Sequence, residues 1–355
     1  MANPTNGYGS YRGRGHPVFR LLLVLFFVAA VLLAFGFSLL QPYIVYSADG
    51  VKINLPFLSK DLPDDPIPSP ELVIETPPPA PTPTPTTLER MQMVQSYHPL
   101  LTVEQLAESL DNLPPPNGDG GVTAYLLQLK GERGMLAYIS AVEKALAMKS
   151  SGSDPAVNGM LTRFLDEPSA PSVGVLACFK DQTAGDGDYN FCILSNSGYR
   201  WVDDSDVRWI SPTKPAVRQY VLDLAQEAAD FGFDEILLTY AHYPASGMFG
   251  YIKNGADYDQ KQLGSVIDGF YQEVSAAFAL RDCLISVFVC DEFLENPQEF
   301  RSGQTAASML ANFDRIWYNK ALETSALERV FGGDAALMAA RGVAIDTAEP
   351  DFPLY

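Results

Sequence analysis

Residues 201–244, WVDDSDVRWISPTKPAVRQYVLDLAQEAADFGFDEILLTYAHYP, decide the fold class. They read as loop, helix, turn and strand. Pro215 suits a first helical turn, because it has no N–H to leave unpaired. Val217, Val221, Leu224, Ala225 and Ala228 recur at three- and four-residue steps and make one apolar stripe. Gly232 predicts the helix stop. Phe233–Tyr240 is an apolar run of strand type, closed by Pro244. A helix feeding directly into a buried strand is half of a βαβ unit, and such units build parallel sheets.

The same alternation continues outward. Upstream, Met91–Gln95, Val122–Lys130 and Pro171–Lys180 (PSVGVLACFK) read as strands. Helical stretches separate them: Thr102-x-x-Gln105 is a capping box for a helix to about Leu110, followed by Ala141–Met148 and Pro155–Leu165. Gly185–Gly187, with Asp186 and Asp188, predicts a flexible loop. Downstream, Tyr258–Leu280 predicts a long helix, and Cys283–Cys290 (CLISVFVC) a buried strand. Thr305–Asn312 and Ala321–Phe331 are helical, and Phe313–Tyr318 and Gly342–Asp346 are strands. The pattern gives seven strands and leaves the eighth strand of a (β/α)8 barrel unplaced.

The segment Gly232-Phe233-Asp234-Glu235-Ile236, with Tyr240 and Pro244, resembles the strand signature of a glycoside-hydrolase-type family of unknown function, expected to form TIM barrels. In that family an acidic-aromatic loop like Trp201–Asp203 precedes the helix. Thr239 stands where the family pattern has Asp, and His242 where it has Arg. Phe179-Lys180-Asp181 is similar to the family's F-K-D. At the end of the second strand Lys130 matches, while Gln128 and Gly131 replace two acids. The resemblance covers roughly 88–355 and implies an α/β, TIM-barrel-like domain at a polysaccharide or other glycan.

Residues 1–20 carry Arg12, Arg14 and Arg20 and no acid, and Leu21–Leu40 is twenty residues without a charge. That length is enough to cross a bilayer as a helix, and the preceding basic residues favour a cytoplasmic N-terminus. A cleaved signal peptide is the alternative; its apolar core is usually only about 7–15 residues. The organisation expected is therefore a cytoplasmic N-terminus 1–20, a transmembrane signal anchor 21–40 in the lipid bilayer, and a small β-hairpin stub at 41–60. A proline-rich linker at 61–87 follows, then an extracytoplasmic barrel at 88–355. Beyond position 40, 43 acids face 21 basic residues, a poor partner surface for nucleic acid.

Hydrolysis of a glycosidic bond needs two carboxylates: one protonates the leaving oxygen, the other attacks or activates water. In a barrel they sit just past strand ends. That position selects Asp181, Asp291 and Glu292 as catalytic candidates, with Asp346 weaker. Lys130, Lys180, Trp201, Tyr240, His242 and Tyr318 are the candidate substrate-binding residues. Trp209, Tyr243, Tyr251 and Trp317 are further aromatics that can serve as sugar platforms. Asp203, Asp204 and Asp206 read as a solvated loop. The three histidines (His16, His98 and His242) lack metal-ligand spacing from one another or from a cysteine, so no metal is expected. No phosphate loop or dinucleotide fingerprint is present, so no cofactor is expected. The four cysteines include no C-x-x-C pair, and Cys178, Cys283 and Cys290 lie in apolar strands as buried thiols. Two readings stay open: a membrane-anchored hydrolase-like domain acting on envelope glycan, and a catalytically inactive glycan-binding or scaffolding barrel.

Overall fold

The computed structural model describes residues 44–47, 50–53, 91–94, 103–111, 124–166, 170–297, 301–319, 321, 324–332 and 335–345. The expected anchor at 21–40 and linker at 61–87 lie outside the described residues. The chain divides into two compact units, Met1–Ile74 and Glu75–Tyr355. In the first, strands β1 (Ile44–Ser47) and β2 (Gly50–Ile53) pair as an antiparallel hairpin.

Among the described residues, the second unit holds seven strands: β3 (Met91–Val94), β4 (Ala124–Lys130), β5 (Ser172–Ala177), β6 (Glu235–Thr239), β7 (Leu284–Phe288), β8 (Arg315–Asn319) and β9 (Gly342–Ile345). Each is parallel to its neighbour, and sheet order follows chain order from β3 to β9. A doubly wound sheet reverses its strand order at a switch point; this one never does, which is the winding of a barrel. Among the described residues, the result is a curled, parallel, incomplete barrel.

Between the strands run α1 (Val103–Asp111), α2 (Glu143–Met148), α3 (Pro155–Asp166) and α4 (Gln182–Gly187). They are followed by α5 (Pro215–Asp230), α6 (Leu263–Phe278), α7 (Asp291–Glu295), α8 (Ala306–Asn312), α9 (Thr324–Phe331) and α10 (Ala335–Arg341).

The two-residue period of the strands sorts side chains into two layers. Leu126, Val173, Val175, Leu237, Phe288 and Trp317 form the inner cluster. Leu127, Leu176, Ile236, Leu238, Val287 and Ile316 face outward, in one cluster with Val221, Leu224 and Ala228 of α5 and Ile267 and Val274 of α6. Each such full burial stabilises by roughly 1.5–3 kcal/mol. Strands buried on both faces need the near-continuous apolar runs the sequence shows. The inner layer also holds Glu235, which accepts hydrogen bonds from Ser286, Arg315 and, at 2.8 Å, Trp317 Nε1. Burial pushes the Glu235 carboxyl up. This cluster sits at the N-terminal strand ends, where barrels keep stabilising residues.

Four local expectations are corrected. The 185–187 loop is the end of α4, a short helix nucleated by Asp181, whose Oδ1 accepts from Ala184 N at 2.7 Å. Helix α6 begins at Leu263, not Tyr258. Tyr258 and Gly255 exchange backbone hydrogen bonds in a tight turn, which swings the Tyr258 ring against Tyr243 at 5.6 Å. Helices α7 and α10 were not foreseen, since each is too short to show a full apolar period. Cys283 is only half-buried, whereas Cys178 and Cys290 are buried; all four cysteines are free.

Candidate active site at the strand ends

A cavity of about 270 Å³ opens at the C-terminal ends of β6 and β7, close to the lower end of the roughly 300–1,000 Å³ usual for ligand sites. The β5–α5 loop forms one part of it. Lys180, just past β5, places Nζ 2.6 Å from Glu132 Oε2 and 3.0 Å from Asp203 Oδ2. The same ammonium lies 5.1 Å from the centre of the Tyr240 ring. Asp203 Oδ1 accepts from the backbone N–H groups of Ser205 (3.0 Å) and Val207 (3.1 Å), and Oδ2 accepts from Trp209 Nε1 at 3.0 Å. Asp203 is thus corrected from a solvated loop residue to a buried member of the site, while Asp204 and Asp206 are exposed. The cause is an antiparallel bridge between Val202 and Arg208, which folds the loop back and turns Asp203 inward.

The β7–α7 junction supplies the second part. Asp291 Oδ2 accepts from Asn319 Nδ2 at 2.9 Å, and the Cys290 thiol donates to Glu292 Oε2 at 3.0 Å. Burial, then the Glu292 charge, pushes the Cys290 thiol up. Glu295, one turn further along α7, lines the same cavity.

Residues just past β6 complete it. Tyr240 has φ 48°, a left-handed conformation that is uncommon for a bulky residue and costs roughly 1–3 kcal/mol. The turn is held by backbone bonds from Cys178 N to Thr239 O (2.8 Å) and Phe179 N to Tyr240 O (3.1 Å). His242 is buried, and its Nδ1 lies 2.7 Å from the Tyr243 carbonyl oxygen. Nδ1–H is therefore the donor, and Nε2 is the nitrogen left for the cavity. Burial holds the His242 pKa below its ordinary value, partly offset by the Tyr243 carbonyl and the Glu292 charge.

Of the residues selected from sequence, the structure brings Lys180, Tyr240, His242, Asp291 and Glu292 to this one cavity. Lys130, Asp181, Trp201 and Tyr318 do not line it. Lys130 and Asp181 form a pair 2.7 Å apart with no exposed side-chain surface, and Lys130 Nζ also donates to Ala177 O at 2.6 Å. Trp201 is buried behind the rim, its Nε1 donating to Met248 O at 3.3 Å and its ring stacked on Phe249. Tyr318 lines a separate cavity of about 170 Å³ with Phe331 and Met338. Asp203, Glu132 and Glu295 were missed as site residues. For Asp203 the sequence signals only a side-chain-capped turn, an aspartate two residues before a serine N–H, and not that the side chain turns inward. Among the described residues, no cluster of three or more His, Cys, Asp or Glu suits a metal ion.

Residues 105–317 match a family model described as "Putative glycosyl hydrolase domain". The chain belongs to that family. The matched span contains the cavity residues from Lys180 to Glu295. Among solved structures, the glycoside hydrolase domain of PgaB (BpsB) from Bordetella bronchiseptica is similar at 14% identity, covering 75% of this chain and 97% of that one, with a TM-score of 0.46. A hypothetical protein from Ruminiclostridium thermocellum is 20% identical over 56% of this chain and 96% of its own, with a TM-score of 0.43. The glycoside hydrolase domain of PelA from Pseudomonas aeruginosa is 11% identical over 73% and 84%, with a TM-score of 0.39. No curated protein matches the chain.

Proposed function

We propose that this family member acts on a cell-envelope glycan or related polysaccharide by hydrolysing a glycosidic bond in the cavity at the strand ends. One observation carries the reading: carboxylates from two separate loops, Asp203 from one and Asp291 and Glu292 from the other, line a single cavity together with Trp209 and Tyr240. Two carboxylates around one bond are the minimum for this chemistry. Asp203 is rigidly held by four donors and faces the positive charge that develops on the sugar ring. Asp291 or Glu292 supplies the proton to the leaving oxygen. Asp181, enclosed with Lys130, serves the scaffold.

A second reading, a glycan-binding barrel without turnover, is favoured by two particulars. Every contact to Asp203 already occupies its oxygens, and Thr239, which does not titrate, faces the cavity at the end of β6. The discriminating experiment is reducing-end release from envelope polysaccharide by the purified full chain, with Asp291→Asn and Glu292→Gln in parallel. Release that falls about 10²–10⁴-fold in one of the two supports hydrolysis. Binding without release by any form sinks hydrolysis and leaves the binding barrel.

The proposal also places the domain outside the cytoplasm on a membrane anchor. The uncharged stretch Leu21–Leu40 behind Arg12, Arg14 and Arg20 supports it. Protease added to intact cells then removes the domain; complete protection would refute that topology.

A further inference from the structure

The glycan reading above leaves open how much of a sugar chain the protein holds, and the loops around the cavity bear on this. Among the described residues, four of the seven exposed large apolar side chains sit on two loops. Tyr189 (44% exposed) and Tyr199 (75%) belong to the β5–α5 loop, Met248 (68%) and Tyr251 (64%) to the β6–α6 loop. Scattered exposed apolar residues are ordinary, but a group of them on adjoining loops marks an interaction surface.

The two loops are zipped together. Asn196 N donates to Tyr251 O at 2.8 Å, Asn196 Nδ2 to Gly250 O at 2.9 Å, and Lys253 N to Leu194 O at 2.8 Å. Within the first loop, Ser195 N donates to Tyr199 O at 2.7 Å, and the Tyr189 hydroxyl donates to Gly198 O at 2.6 Å. The aromatic residues are therefore carried on a hydrogen-bonded frame. A tyrosine has only two side-chain torsions to fix, so little ordering is needed when a ligand lands.

The frame is continuous with the cavity. The first loop runs on from Tyr199 to Asp203 and Trp209, and the second runs from Ala245 and Ser246 to Met248; all of these except Tyr199 and Met248 line the cavity. Trp201 is the strut between them. Its Nε1 holds the Met248 carbonyl, and Gly247, at φ +113°, passes so close that an added Cβ would lie 2.8 Å from the Trp201 ring.

We propose that this aromatic shelf is a distal glycan-binding surface, taking sugar units of a chain that extends out of the cavity. The substrate class is then a polymeric glycan rather than a short glycoside. A pyranose presents C–H bonds on one face and hydroxyls at its edge. The shelf offers the exposed rings of Tyr199 and Tyr251, on the frame that also carries the polar side chains of Ser195, Asn196 and Ser197, while the Tyr189 ring already stacks with Arg200 at 5.3 Å. The net charge of −19 disfavours an anionic lipid surface as the occupant.

The test uses the full chain in detergent, with chito- and cello-oligosaccharides from disaccharide to octasaccharide, measured by calorimetry. In at least one series, affinity is expected to rise about tenfold with length, a factor equivalent to about 1.4 kcal/mol. The double variant Tyr199→Ala/Tyr251→Ala, at two exposed positions, should abolish the rise and leave disaccharide affinity unchanged. Length-independent affinity, or a rise that survives the double variant, would overturn the shelf while leaving the cavity reading intact. Self-association that the double variant abolishes, with glycan affinity unmoved, would assign the surface to a second copy and also overturn it. Absence of binding by either series at any length would remove the glycan reading and the shelf with it.

Discussion

Replacing Asp181 with asparagine removes one charge from a pair that water does not reach. The carboxylate and Lys130 Nζ are 2.7 Å apart, and both side chains have no exposed surface. Asparagine keeps an oxygen for the Ala184 N–H, so the cap of α4 survives and the change isolates the charge. Lys130 is then left buried without its counter-ion. Breaking a buried pair from one side costs about 3–5 kcal/mol. For a domain of this size each kcal/mol moves the melting temperature by about 2–4 °C, so the expected fall is about 6–20 °C. The assay is thermal unfolding followed by circular dichroism near neutral pH. Lys130→Met combined with Asp181→Asn should recover most of the loss, because an apolar replacement of a whole buried pair is often neutral. An Asp181→Asn protein that melts within about 2 °C of wild type but has lost glycan turnover would refute the reasoning, since Asp181 would then act in the chemistry.

Three further outcomes follow from the same geometry. The His242 pKa is held below the ordinary histidine value of 6.5, so between the folded value and 6.5 the unfolded chain binds the extra proton. Stability should therefore rise with pH through that window and level off above it, and His242→Gln should flatten the slope; an unchanged slope would contradict the assignment. Gly134→Ala should destabilise by more than about 1 kcal/mol in denaturant titration, because at φ +82° an added Cβ would lie 1.9 Å from Asp181 Oδ1; a neutral effect would count against that packing. All four thiols are free, so a reducing agent should leave the melting temperature unmoved, and a drop would reveal a disulfide.

The strands were legible because a parallel sheet covered on both faces demands continuous apolar runs. Six of the seven sheet strands lie within the stretches so marked, and β8 runs one residue past its stretch, to Asn319. The site was legible only where position past a strand end also fixed direction. Lys180, Tyr240, His242, Asp291 and Glu292 meet that condition. Lys130 does not, because the β4–β5 register shifts between Gln128 and Lys130. Lys130 thereby pairs with outward-facing Leu176 and lies 5.9 Å from the Tyr220 ring of α5. A one-residue slip reverses the face, and the sequence carries no mark of it. Tyr318 fails by the same parity: Trp317 joins the inner cluster, and Tyr318 packs with the outer one. Asp203 depends on a bridge between Val202 and Arg208 whose partners no local periodicity links.

The measurement that bears most directly on the central claim is reducing-end release from polysaccharide by Asp203→Asn beside wild type. Lys180 has a second carboxylate, Glu132, 2.6 Å away in the wild-type protein, so the fold should persist in this variant. The variant should be a folded protein whose turnover has fallen about 10²–10⁴-fold while glycan binding remains. A folded variant that turns over at the wild-type rate would contradict it and move the chemistry away from this cavity.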